Sequence, residues 1–165
     1  MLIDRCCDED RTTRKFACFA IGNAGFHNDS LYEPLRVAVA PLVALLDDAE
    51  EKTRANAAGA LGNLVRNSSL LCGQLVESRA LEALLRTITA APEPGGAGTA
   101  SGGGEGQSPL KIALFSLGNM CTHRDCRERL LQLDFRAVVA QLAASPDAVV
   151  QKYVARIQSK LQAAK

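Results

Sequence analysis

The chain has 165 residues, enough for one domain with a core of its own. Hydrophobic residues make up 47%, yet aromatics are only 4% and Trp is absent. Such an Ala- and Leu-rich chain favours helix, where these side chains lose little rotamer freedom. A formal net charge of +1 excludes a domain-wide basic footprint for nucleic acid, and no run approaches the ~20 apolar residues of a membrane helix.

The N-terminus, Met1-Leu-Ile-Asp-Arg-Cys-Cys-Asp, has no apolar run of signal-peptide length. Cys6, Cys7, Cys18, Cys72, Cys121 and Cys126 fit free thiols of a reduced intracellular protein, with Cys18 packed as a small hydrophobe. Lys15-Phe-Ala-Cys-Phe-Ala-Ile-Gly-Asn is the first helical segment. A short helix is expected near 30–36, then a longer one with the stripe Val39, Leu42, Val43 and Leu46. Asp48 with Glu51 has the form of a capping box before the helix that holds Asn63. A short helix near 69–77 precedes the stripe Leu81, Leu84, Leu85 and Ile88.

The run Ala91 to Ser108 is rich in Gly, Pro and Ser and reads as a flexible insert. Ser108-Pro109 then opens the helix with Lys111-Ile-Ala-Leu-Phe-Ser-Leu-Gly-Asn, hydroxyl as cap and proline at the first helical position. Thr122 is expected to cap a helix near 124–131, followed by the stripe Phe135, Val138, Val139 and Leu142. Ser145-Pro146 is expected to cap the last helix, which contains Gln151-Lys-Tyr-Val-Ala-Arg-Ile.

These segments repeat. Gly-Asn pairs fall at 22/23, 62/63 and 118/119, at intervals of 40 and 56 residues, and the longer interval contains the glycine-rich insert. The three apolar stripes share an i, i+3, i+4, i+7 spacing that lines one helix face and no strand face. A period near 40 residues with three helices per unit fits armadillo or HEAT repeats, which must stack to bury their apolar faces. The expected fold is therefore all-α: a right-handed α-solenoid of stacked three-helix repeats. Residues 1–90 hold the first repeats with a partial first unit, 91–108 the insert, and 109–165 the continuation.

Arg14-Lys-Phe-Ala-Cys-Phe-Ala-Ile-Gly-Asn-Ala, Lys52-Thr-Arg-Ala-Asn-Ala-Ala-Gly-Ala-Leu-Gly-Asn-Leu-Val-Arg-Asn and Ser108-Pro-Leu-Lys-Ile-Ala-Leu-Phe-Ser-Leu resemble the C-terminal armadillo region of Fused-type serine/threonine kinases. In that family an aromatic precedes the Ala-Leu-small-Asn run; Phe19 and Phe115 hold its place, and Gly59 replaces it in the second unit. The resemblance implies a protein-binding region of a larger kinase whose catalytic domain lies outside this chain. It also implies a cytoplasmic setting tied to the cilium, the cytoskeleton or, in plants, cytokinesis.

Catalysis is not expected. His123-Arg124-Asp125 opens like a kinase catalytic loop, but Leu130 stands where that motif needs asparagine, and Asp134-Phe135 continues with Arg136 where glycine is needed. The glycine run follows no strand, so it is no phosphate loop. Cys121, His123 and Cys126 lack the second ligand pair of a structural zinc site. No cofactor and no metal are expected. Asn23, Asn63 and Asn119 are the candidate partner-binding residues. In armadillo proteins this asparagine ladder lines the concave groove, and an amide offers donor and acceptor together to a peptide backbone. The alternative is an amide that ties neighbouring helices. Lys15, Lys111 and Lys152 border the same helices, as an edge for an acidic partner or a solvated face. The expected partners are other proteins, as extended peptides or adjoining repeats, without nucleic acid or membrane insertion. A purely structural solenoid segment is the other reading.

Overall fold

The computed structural model describes residues 1–90 and 108–163. The insert read at 91–108 lies outside the described residues except for Ser108. Among the described residues there are helices and no strand. After a 3-10 turn at Ile3–Cys7 come α1 (Arg11–Phe26), α2 (Tyr32–Leu35), α3 (Val39–Ala44), α4 (Glu51–Asn63) and α5 (Cys72–Glu77). They are followed by α6 (Ala80–Thr89), α7 (Pro109–Met120), α8 (Arg124–Gln132), α9 (Phe135–Leu142) and α10 (Ala148–Gln162).

The order is one partial unit, α1, and three full units of three helices: α2–α4, α5–α7 and α8–α10. The third helices stack in sequence, α1 on α4, α4 on α7 and α7 on α10, while the shorter helices form the other layer. Of the three stripes, Leu81, Leu84, Leu85 and Ile88 are buried outright; Val43, Val138 and Leu142 are half-buried at the edge of the same core. Arg79 and Asp134 adopt left-handed backbone, φ 58° and 56°, at equivalent bends just before α6 and α9.

Ser108 caps α7 as expected, its hydroxyl accepting from the Lys111 amide with Pro109 at the first position. The other expected caps are displaced. Glu50 is the N-cap residue of α4, and Asp48 instead accepts from the Glu50 amide at 2.8 Å. Asp147 caps α10, accepting from the Val149 and Val150 amides, while Ser145 accepts from the Asp147 amide. His123, not Thr122, stands at the N-cap of α8. In the first two cases a side chain closes a turn on the backbone two residues ahead, the competing use of Ser and Asp oxygens.

Candidate functional site: the face of the stacked third helices

Close packing of the third helices starts at the glycines of the Gly-Asn pairs. A Cβ on Gly22 would lie 3.3 Å from the Ala60 Cα, and one on Gly62 would lie 2.8 Å from the Ser116 Cα. The missing side chain lets the next helix approach, and the asparagine beside it closes the contact. Asn63 Nδ2 donates to the Gly22 carbonyl at 3.0 Å, and Asn119 Nδ2 donates to the Gly62 carbonyl at 3.3 Å. In the last unit Lys160 takes over, its ammonium donating to the Gly118 carbonyl at 2.6 Å. Each unit thus reaches back to a main-chain carbonyl of the third helix one unit earlier, and those of Gly62 and Gly118 lie in the last turns of α4 and α7. Asn56 and Asn67 do the same for the Lys15 and Phe26 carbonyls.

The three candidate asparagines therefore differ. Asn23, on the first third helix, is exposed and has no hydrogen-bond partner among the described residues. Asn63 is half-buried; its amide nitrogen is engaged and its Oδ1 accepts nothing among the described residues. Asn119 is buried, with Oδ1 also taken, by the Arg156 guanidinium at 2.9 Å.

Between Asn23 and Asn63 lies a depression of about 200 Å³, lined by Phe19, Asn23, Asn56, Gly59, Asn63 and Ile112 among others. Gly59 explains it. Phe19, Gly59, Phe115 and Arg156 occupy equivalent positions in successive units, so the row of large side chains is interrupted at α4. A Cβ on Gly59 would meet one atom only, Ile112 Cγ2 at 3.3 Å. Phe19 is 54% exposed beside the gap, so a wall of the depression is an aromatic ring without cover.

Charge is arranged unevenly. Lys15 pairs with Glu50 and Lys111 with Asp147, each acid being the N-cap residue of the next third helix, so these lysines brace the stack. Arg14 pairs with Asp48 at 2.7 Å in the same layer; burial raises the Asp48 pKa, but the Arg14 and Glu50 hydrogen bonds outweigh it and hold the group below the usual range. Lys152 is exposed. At the α10 end, Arg156 lies over the Phe115 ring, 5.3 Å from its centroid, and Lys160 also donates to the Thr122 hydroxyl. Burial and the neighbouring Arg156 hold the Lys160 ammonium below its ordinary pKa.

The other singled-out motifs go elsewhere. His123 Nε2 meets the Val65 carbonyl, and Asp125 sits in the first turn of α8, where the helix dipole favours a carboxylate. Cys121 and Cys126 are buried, and burial pushes the Cys121 thiol up to about 12. No cluster of metal-ligand type occurs among the described residues, and none of their helices is long and apolar enough to cross a membrane. Sequence reasoning missed Asn56, Asn67 and Lys160, which do the same work as the ladder residues; their separations of about one repeat from their carbonyl partners were the available signal.

Comparison with known proteins agrees with this geometry. The family model of the Armadillo/beta-catenin-like repeat matches residues 36–66. Over 135 residues, 78% of this chain, the sequence is 50% identical to Serine/threonine-protein kinase TIO of Arabidopsis thaliana, of which it spans 10%. A designed armadillo repeat protein solved in complex with the peptide (KR)4 superposes with a TM-score of 0.82 at 23% identity, over 97% of this chain and 62% of that one. A second designed armadillo repeat protein superposes with a TM-score of 0.77 at 25% identity, over 97% and 63%.

Proposed function

Because the chain is an armadillo-repeat protein related to a segment of a Fused-type kinase, we propose that it is an interaction module that holds an extended segment of another protein across its third helices. The observation that carries this is the Gly59 depression, an apolar notch walled by Phe19 and Ile112 and rimmed by amides. A peptide side chain fits the notch, and the peptide backbone finds the free Asn63 Oδ1 and the whole Asn23 amide. Asn119 has both ends of its amide engaged and reaches a peptide only by releasing Arg156. The module performs no catalysis; any kinase activity belongs to a parent chain. A cytoplasmic setting at the cilium or cytoskeleton rests on the resemblance and is read by imaging the tagged chain.

The test fills the notch. Peptides are selected from a random displayed library against the chain, then measured against Gly59→Phe, which restores the aromatic row. Affinity should fall about tenfold (~1.4 kcal/mol) with the melting temperature kept. Failure to enrich any peptide, or undiminished binding by Gly59→Phe, rejects this reading.

A second use, end-to-end packing on another repeat unit, is favoured by one observation. Phe16, Ala20, Asn23 and His27 on α1 correspond to Asn56, Ala60, Asn63 and Asn67 on α4, the stripe with which α4 covers α1. The α1 stripe carries Phe16 at 60% exposure. Fusing a copy of unit 30–66 ahead of Met1 should raise the melting temperature, and Asn23→Ala should reverse part of the gain. No gain on fusion rejects the packing role.

A further inference from the structure

The α10 end of the same face carries cations that have no paired carboxylate among the described residues. Arg156 and Lys160 continue the two rows that in earlier units read Phe19, Gly59, Phe115 and Asn23, Asn63, Asn119. They are held in place by neutral acceptors: the Asn119 amide oxygen, the Gly118 carbonyl and the Thr122 hydroxyl, with the Phe115 ring beneath the guanidinium. Arg127 adds a third charge at the same end of α7, donating to the Cys121 carbonyl at 3.1 Å. None of the three makes an ion pair with a carboxylate among the described residues, whereas Arg14, Lys15 and Lys111 each pair with one. Helix-terminal carbonyls favour nearby positive charge, but Lys160 is already desolvated, and Arg156 and Lys160 repel each other. An anion placed over them meets fixed donors and relieves that repulsion.

We propose that the segment bound across the third helices is acidic at the α10 end, with a carboxylate side chain seated on Arg156 and Lys160. The inference rests on the peptide-groove reading and names its partner's chemistry. Spacing follows from the stack: α4 and α10 are two helix steps apart, about 20 Å, which an extended chain crosses in about six residues. The fitting ligand thus pairs an apolar side chain for the Gly59 notch with Asp or Glu about six residues along. A basic segment, such as the (KR)4 peptide bound by the designed protein, would meet like charge here.

The test uses the peptides selected from the random library against the intact chain. Enriched sequences should contain Asp or Glu about six residues from an apolar anchor. Replacing those acids by Asn or Gln should weaken binding about tenfold, and raising salt should weaken the parent peptides but not the neutral ones. Lys160→Gln and Arg156→Gln, checked for unchanged melting curves, should each lower affinity severalfold for acidic peptides and leave the neutral ones unchanged. Should either variant melt early, Arg156→Lys keeps the charge and should bind as the parent does. Enriched peptides that compete at Gly59 yet carry no acid preference overturn the acidic assignment alone. If no peptide is enriched, both this inference and the groove reading fall.

Discussion

Gly62→Ala should lower the stability of the chain by about 2 kcal/mol, while Gly59→Ala, three residues upstream on the same helix, should raise it by about 0.5–1 kcal/mol. Both changes gain helix propensity, since glycine in a helix interior is about 1 kcal/mol worse than alanine. What differs is the neighbour. A Cβ on Gly62 would sit 2.8 Å from the Ser116 Cα and closer still to the Ser116 side chain, whereas one on Gly59 would meet only the Ile112 Cγ2 methyl at 3.3 Å, the end of a half-buried side chain that has to give by a few tenths of an ångström. Ser116 is fully buried and cannot swing away without breaking the bond from its hydroxyl to the Ala58 carbonyl, 2.8 Å long. The α4–α7 contact must therefore open, at an overpacking cost of about 1–3 kcal/mol plus about 1 kcal/mol for the hydrogen bond. Urea denaturation of the two variants beside the parent reads the contrast. Equal shifts for both would mean that Gly62 does not set the approach of the helices.

This contrast also marks how far the sequence could be read. The Gly-Asn period, the three apolar stripes and the unit count are visible because each is periodic, and burial forces that period on the chain. The purpose of the glycine is not, because close approach involves a neighbour 54 residues further on, Ser116, which no local pattern names. The candidate amides follow the same logic. Asn23, Asn63 and Asn119 look alike in sequence, yet their environments differ by position in the stack: the first has no third helix stacked before it among the described residues, and the third has Arg156 over it. The caps were misplaced where two polar residues compete. Asp48 and Ser145 each bind the amide two residues ahead and leave the capping position to Glu50 and Asp147. Choosing between such neighbours depends on tertiary contacts, since Asp48 is also drawn to Arg14.

Tyr32 is the least legible residue of consequence, and Tyr32→Phe should cost about 1–3 kcal/mol although it removes a single oxygen. The side chain opens α2, in the layer of short helices, and is fully buried. Its hydroxyl donates to the Asn63 carbonyl at 2.6 Å and accepts from the Asn67 amide at 3.1 Å, with the Gly25 carbonyl 3.3 Å away. Those groups stand at the C-terminal ends of α1 and α4, where helix carbonyls have lost their intrahelical partners. Phenylalanine keeps the ring's volume but takes the acceptor from the Asn67 amide at a part-buried site, while the Asn63 carbonyl keeps only its bond from the Arg66 amide. Because the same bond fixes the backbone of Asn63, the change should also loosen the residue that presents its Oδ1 to a peptide. Peptide affinity should therefore fall severalfold in Tyr32→Phe alongside stability, whereas Gly59→Phe should lose affinity alone. Tyr32→Ala, which adds a cavity, should cost about 3–5 kcal/mol. Denaturation curves on the two tyrosine variants test the ranking. Tyr32→Phe within about 0.5 kcal/mol of the parent would show that the hydroxyl does not hold the helix ends together.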